Sequence, residues 1–158
     1  MSSEVEFIPR TVEVRELQVI YKSRPDLPRL SATPLTVPGT AHALVRPLLE
    51  VEPVEVMLVV CLSTTHQVLA IHELSRGTLD MVTANPREIF KIALLANAAA
   101  VLIAHNHPSG TTNPSPMDRA ATERIEKAGK LLGIELIDHL IIGAEGRYYS
   151  FHEHGLLR

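Results

Sequence analysis

The chain has 158 residues, of which 46% are hydrophobic, so it is long enough for one domain with a sizeable core, and a formal charge of -3 gives no general attraction to polyanions. With three Tyr, three Phe and no Trp, that core must be built from Leu, Ile, Val and Ala, as in a layered α/β structure. A lone cysteine excludes an internal disulfide, and no apolar run reaches the ~18 residues of a membrane helix. The amino-terminal stretch "MSSEVEFIPRTVEV" has neither a basic nor an apolar leader region. A reducing cytoplasm is therefore the expected compartment.

The first expected element is a strand over 11–21, where Val12, Val14, Leu17, Val19 and Tyr21 alternate with one phase slip at Arg15 and Glu16. Pro25, Pro28, Pro34 and Pro38 then exclude a helix interior or a central strand, so residues 22–39 read as an irregular connection. Residues 1–39 are taken as an appendage of the same domain, and 40–158 as its main body. A short helix is expected over 40–50, bent or ended at Pro47. "EVMLVVCL" (55–62) is apolar throughout, as in a strand covered on both faces, and "THQVLAIHELSRG" is its hairpin partner.

In "NPREIFKIALLANAA", Asn85 stands as N-cap with Pro86 at the first helical position and Glu88 three residues after the cap. "AVLIAHN" is a second buried strand. The next helix has Ser115 as N-cap, Pro116 behind it, Asp118 at the capping-box position and Gly133 as its stop. Its outer charges pair four residues apart, Glu123 with Lys127 and Glu126 with Lys130, which marks a solvated face rather than a nucleic-acid footprint. "IELIDHLIIG", a turn at "AEG", and "RYYSFHEHG" close the chain as strand, turn and short strand.

Chemistry concentrates at "AHNHPSG". His105 and His107 can aim at one point if the strand end is curved, but an H-x-H pair alone is a weak signal and a polar turn explains it equally well. Asp118 is the natural third ligand, from the first helical turn, although a capping role with Ser115 accounts for it too. Two imidazoles and one carboxylate would leave a zinc ion with an open position for a water whose pKa falls toward ~7, and hydrolysis then needs a general base that is not a ligand. Glu55, at the head of a buried strand, is the best placed, with Glu50, Glu52 and Glu73 as alternatives. The second H-x-H, His152 and His154, reads as an exposed tail, and His66 and His72 as surface residues of the hairpin. Asp138 and His139 interrupt a strand, either as a structural polar pair or as support or substrate contacts for the site.

The spacing "HNHPSGTTNPSPMD", with Glu55 upstream, resembles the JAMM metalloprotease motif, also called MPN+ or JAB. Over residues 50–155 the chain is similar to the bacterial RadC family. The resemblance implies a single cytidine-deaminase-like α/β domain with a mixed central sheet flanked by helices. It further implies zinc held by His105, His107 and Asp118, with Glu55 handling the water's protons and Ser115 donating to the oxyanion. A peptide or isopeptide bond is the expected substrate. Two other functions stand beside it: a DNA-repair or mobile-element factor, which the acidic balance does not favour, and a non-catalytic interaction module. Relatives commonly carry an amino-terminal helix-hairpin-helix region where this chain has its strand-like segment, and Met57 stands where an aromatic residue is expected. The edge strand at 11–21 suits pairing in a homodimer or capture of an extended peptide.

Overall fold

A computed structural model of the chain describes residues 20–23, 34–77 and 84–157. The strand expected over 11–21 falls outside these residues except for Ile20 and Tyr21, which are exposed and irregular. In order, the described elements are α1 (Pro38–Leu49), β1 (Glu55–Leu62), β2 (Val68–Gly77), α2 (Pro86–Leu95), β3 (Ala100–Asn106), α3 (Pro116–Leu132), β4 (Glu135–Ile142) and β5 (Tyr148–Ser150). The first helix starts inside the segment expected to be a connection, because Pro38 occupies its first position, where a missing N–H costs nothing. It also runs through Pro47 to Leu49 rather than stopping there.

The five strands form one mixed sheet in the order β2-β1-β3-β4-β5. β1 pairs antiparallel with β2 and with β3, β3 and β4 are parallel, and β5 returns antiparallel on β4. β1 after Glu55, and β3 throughout, are buried, as their unbroken apolar runs require. One face packs Val56, Leu58, Val60, Leu102 and Leu140 under Ala41, Leu44, Val45 and Leu49 of α1. The other packs Val59, Cys61, Val101 and Ile103 under Ile89, Phe90 and Ala93 of α2 and Ala121 and Ile125 of α3. The result is three layers, with helices on both faces of the sheet.

A bulge in β4 decides which face its polar residues take. Val101 pairs with Leu136 and the next residue, Leu102, with Asp138, so Ile137 is an extra residue in the ladder. Leu136 packs on the α2 and α3 face, Ile137 on the α1 face. The slip restarts the alternation so that His139 lies level with Ile103 and turns toward α3.

Gly129 lets α3 approach its neighbours. A Cβ there would stand 2.4 Å from the backbone oxygen of Ile134 and 3.1 Å from Phe90 Cζ. In an open helix Gly→Ala gains about 1 kcal/mol. Here the clash with backbone outweighs it, and Gly129→Ala is expected to lower stability by about 1–3 kcal/mol in chemical denaturation.

Candidate metal centre

The end of β3, the loop after it and the first turn of α3 meet at one point. Alternation along β3 puts His105 on the α3 face with Ile103, and a backbone bond from His107 N–H to Ile142 O (3.0 Å) carries the extended course one residue past the strand. The chain then turns at Gly110, whose N–H donates to His107 O (2.8 Å) and whose φ is +78°. The loop rests on the turn after β4: Ala144 N–H donates to Gly110 O (3.2 Å), and a Cβ at Gly143 would lie 2.7 Å from that same oxygen. Glycine at 143 is thus what allows this close approach.

Asp118 comes to the same point through the capping box. Ser115 Oγ accepts from Asp118 N–H (3.1 Å), while Asp118 Oδ2 accepts from Ser115 N–H (2.7 Å) and from Ser115 Oγ–H (2.6 Å). The other oxygen, Oδ1, lies 3.3 Å from His105 Nε2. His107 Nε2 is 3.1 Å from His105 Nε2 and 3.7 Å from Asp118 Oδ2. Bonds of about 2.0–2.1 Å to a tetrahedral zinc require ligand atoms about 3.3 Å apart. The 3.1 Å between the two Nε2 atoms and the 3.3 and 3.7 Å from them to the two different oxygens of Asp118 are of that order, so the group could hold a metal ion. Among the described residues this is the one His, Cys, Asp or Glu group whose atoms converge closely enough to hold a metal. His105 is fully buried, whereas the side chains of His107 and Asp118 are 17% and 14% exposed, which leaves the site open on their side.

Charge states are set by these surroundings. Burial holds His105 neutral down to about pH 4. His107 is raised, chiefly by its interaction with the Asp118 carboxylate. Burial works to raise the Asp118 carboxyl, but His107, His105 and the two donors of Ser115 together hold it well below the usual carboxylate range.

Glu55 opens β1 beside this group. Its carboxyl is raised, first by burial and also by Asp118, with His107 pulling the other way, so both candidate ligands act on it electrostatically. No hydrogen bond or ion pair ties the Glu55 carboxylate to another described residue. The other candidate acids already have partners. Glu50 accepts from Arg46 Nε (2.7 Å) and Gly146 N–H (2.6 Å), while Glu52 and Glu73 share the guanidinium of Arg76. Asn106, which the sequence did not single out, explains the placement of Glu55. Buried between the two histidines on the opposite face, it accepts from Val56 N–H (2.8 Å) and donates to Val54 O (2.9 Å) and Glu52 O (3.2 Å). The amide thereby clamps the approach to β1 on both sides of Glu55. Its only signal in the sequence is its position inside H-x-H.

Asp138 and His139 divide their roles. Asp138 turns to the α1 face, where it accepts from Ser150 Oγ–H (2.6 Å) and from the backbone N–H groups of His139 (2.7 Å) and His152 (3.0 Å). His139 sits behind the site, 2.9 Å from His105 Nδ1 through its Nε2. His152 and His154 are exposed but not a loose tail: they lie in hydrogen-bonded turns, with the His154 ring stacked on Tyr149. The capping of α2 is by Asn85 alone, which accepts from Arg87 N–H (3.0 Å), and Glu88 pairs instead with Lys91.

Residues 35–156 match the sequence model of the family described as RadC-like JAB domain. The chain is 46% identical to a UPF0758 protein of Nitrosococcus oceani over 78% of its own length and 54% of the relative's. It is 41% identical to the UPF0758 protein Mbar_A2303 of Methanosarcina barkeri over 77% and 52%, and 45% identical to a UPF0758 protein of Thermotoga maritima over 65% and 46%. The chain thus spans about half the length of the curated relatives it matches.

Removing the Asn106 amide leaves the Val56 N–H without its acceptor and two carbonyls without their donor. Asn106→Ala is expected to cost about 2–4 kcal/mol in urea unfolding, with an unchanged m value. Metal binding should depend on pH through His107. Its raised pKa means that the metal-free protein is stabilised by the His107 to Asp118 pair at low pH and loses that stabilisation as pH rises through the raised value, where the imidazole becomes free to ligate. Because His105 is already neutral and Asp118 ionised, apparent zinc affinity is expected to fall about tenfold per unit as pH drops below the His107 pKa, a one-proton slope in competition titrations with a chromophoric chelator.

Proposed function

Since the chain belongs to the RadC-like JAB domain family, we propose that it is a zinc-dependent hydrolase of peptide or isopeptide bonds, with His105, His107 and Asp118 as the metal ligands. The observation that carries the reading is the convergence of two imidazole nitrogens and one carboxylate closely enough to hold a metal ion, open to solvent on one side, with a raised carboxyl beside them. Zinc, when bound, supplies Lewis acidity, which acidifies a water and polarises a carbonyl oxygen.

The protein's own groups supply the rest. Glu55, ionised, takes a proton from the attacking water; once protonated, it gives that proton to the departing amine, so the carboxylate is restored when the carbon–nitrogen bond has broken. Burial raises its pKa toward the range in which it can do both. Ser115 has one hydroxyl proton, and in this structure Asp118 Oδ2 accepts it. To donate to an oxyanion the hydroxyl must rotate, and Ser115 N–H then continues to hold the carboxylate. The capping box is thus a resting position from which the donor is released without loss of the helix start. An oxyanion donor of this kind contributes about 3 kcal/mol in the transition state.

A peptide or protein partner accords with the surface better than DNA does, since Lys127 and Lys130 on α3 are paired with Glu123 and Glu126.

Elemental analysis of the purified protein tests the assignment. One zinc per chain is expected in the unmodified protein and in Glu55→Gln, and none in His107→Ala. With a panel of peptide and isopeptide substrates, Glu55→Gln should cost at least ~10²-fold in rate. A well-folded protein that takes up no zinc would overturn the reading.

A further inference from the structure

Behind the candidate ligands lies a line of buried polar groups for which the hydrolytic reading has no use. His139 and Thr122 are both buried, His139 fully so. Thr122 Oγ1 is 2.6 Å from the backbone oxygen of Asp118 and 2.7 Å from His139 Nδ1, and His139 Nε2 is 2.9 Å from His105 Nδ1. The ring of Phe151 stacks on His139, centroids 4.7 Å apart and planes within 11°. His139 is therefore held in place by packing as well as by its two nitrogens.

The proton positions along this line can be worked out from one end. Thr122 Oγ1 and the carbonyl oxygen of Asp118, 2.6 Å apart, need a hydrogen between them, and the carbonyl has none to give. Thr122 must donate to it. Its hydroxyl is then left only as an acceptor toward His139, which must carry its proton on Nδ1. A neutral imidazole has one N–H, so His139 Nε2 bears a lone pair and accepts from His105. That places the proton of His105 on Nδ1 and leaves the lone pair of Nε2 pointing at His107 and Asp118.

We propose that His139 and Thr122 are positioning residues that fix His105 in its Nδ1–H tautomer, so that Nε2 is the atom offered to the cation. The inference rests on the reading of His105 as a metal ligand. Without the relay, His105 is free to protonate Nε2, the form favoured by an unconstrained imidazole, and that proton would have to leave or migrate before a metal could bind. The relay completes this rearrangement during folding. It also starts and ends on the ligand set, since the Asp118 backbone receives the first proton and the His105 ring delivers the last. One carbonyl in the first turn of α3 thereby decides that the nitrogen facing His107 and Asp118 carries a lone pair rather than a proton.

The test is the ring nitrogen pattern of the full chain, labelled with ¹⁵N at histidine, stripped of metal with a chelator and observed by long-range ¹H–¹⁵N correlation. His105 and His139 are both expected to show a protonated Nδ1 and a lone pair on Nε2. In Thr122→Val, which removes the acceptor at nearly constant volume, the His105 proton should move to Nε2 in a substantial share of molecules, whereas Thr122→Ser should keep the original pattern. In His139→Phe, which keeps a ring to pack on Phe151, zinc affinity measured by chelator competition is expected to weaken about 10–100-fold. Nε2 protonation of His105 in the unmodified protein, or a Thr122→Val variant with an unchanged pattern, would overturn the proposal. The two readings fail separately. The Nδ1–H pattern in a protein that takes up no zinc would sink the hydrolase assignment and leave the relay standing, while zinc uptake with the other tautomer would do the reverse.

Discussion

The contact on which the site is organised is the 2.9 Å hydrogen bond between His105 and His139, two fully buried imidazoles on adjacent parallel strands. Neither ring tolerates a charge there, because burial holds both well below the ordinary histidine range. A neutral pair can share only one proton across the gap, and the rest of the pocket is arranged around that restriction. Water cannot satisfy the outer nitrogens, so each finds its partner in protein: Thr122 on one side, the ligand cluster on the other. The apolar residues of α2 and α3 that pack on this face keep both rings buried.

The first turn of α3 does three tasks with two residues. The carboxylate of Asp118 completes a capping box, sets its other oxygen 3.3 Å from His105 Nε2, and is kept ionised by His107 and His105 together with the two donors of Ser115. This overlap of roles explains why the site sits at the carboxyl end of β3 and the amino end of a helix, where unpaired N–H groups favour negative charge. Ser115 belongs to the same unit. Its backbone N–H and its hydroxyl both donate to the same oxygen of the carboxylate.

How much of this could be read from the residues alone differs by element. β1 and β3 were legible because their apolar runs are uninterrupted and bounded by polar turns, and α2 and α3 because proline follows a capping residue in each. The convergence of His105, His107 and Asp118 was legible through spacing, since they lie within fourteen residues on one loop and its flanks. Three features were not. Asn106 acts on Val56 and its neighbours some fifty positions earlier in the chain, a contact that no local pattern carries. The helix continues through Pro47 because that residue lies in its last turn, and packing of Leu44, Val45 and Leu49 on the sheet outweighs the local preference to stop. The orientation of His139 depends on a one-residue slip in β4, whereas simple alternation from Leu136 would have sent that ring to the opposite face.

That slip joins parts of the molecule that burial alone would keep apart. Asp138 and His139 are consecutive, yet one anchors the turn at residues 150–152 beneath α1 and the other bonds to His105 beneath α3. The same turn reaches His139 again through Phe151, whose ring lies flat against it. The surface turn bearing His152 and His154 is thus joined to His139 by two short links, the peptide bond between Asp138 and His139 and the stacked ring of Phe151. In this corner of the protein, solvent exposure is a poor guide to distance from the His-His-Asp group, because the extra residue at Ile137 lets neighbouring side chains serve both faces of the sheet.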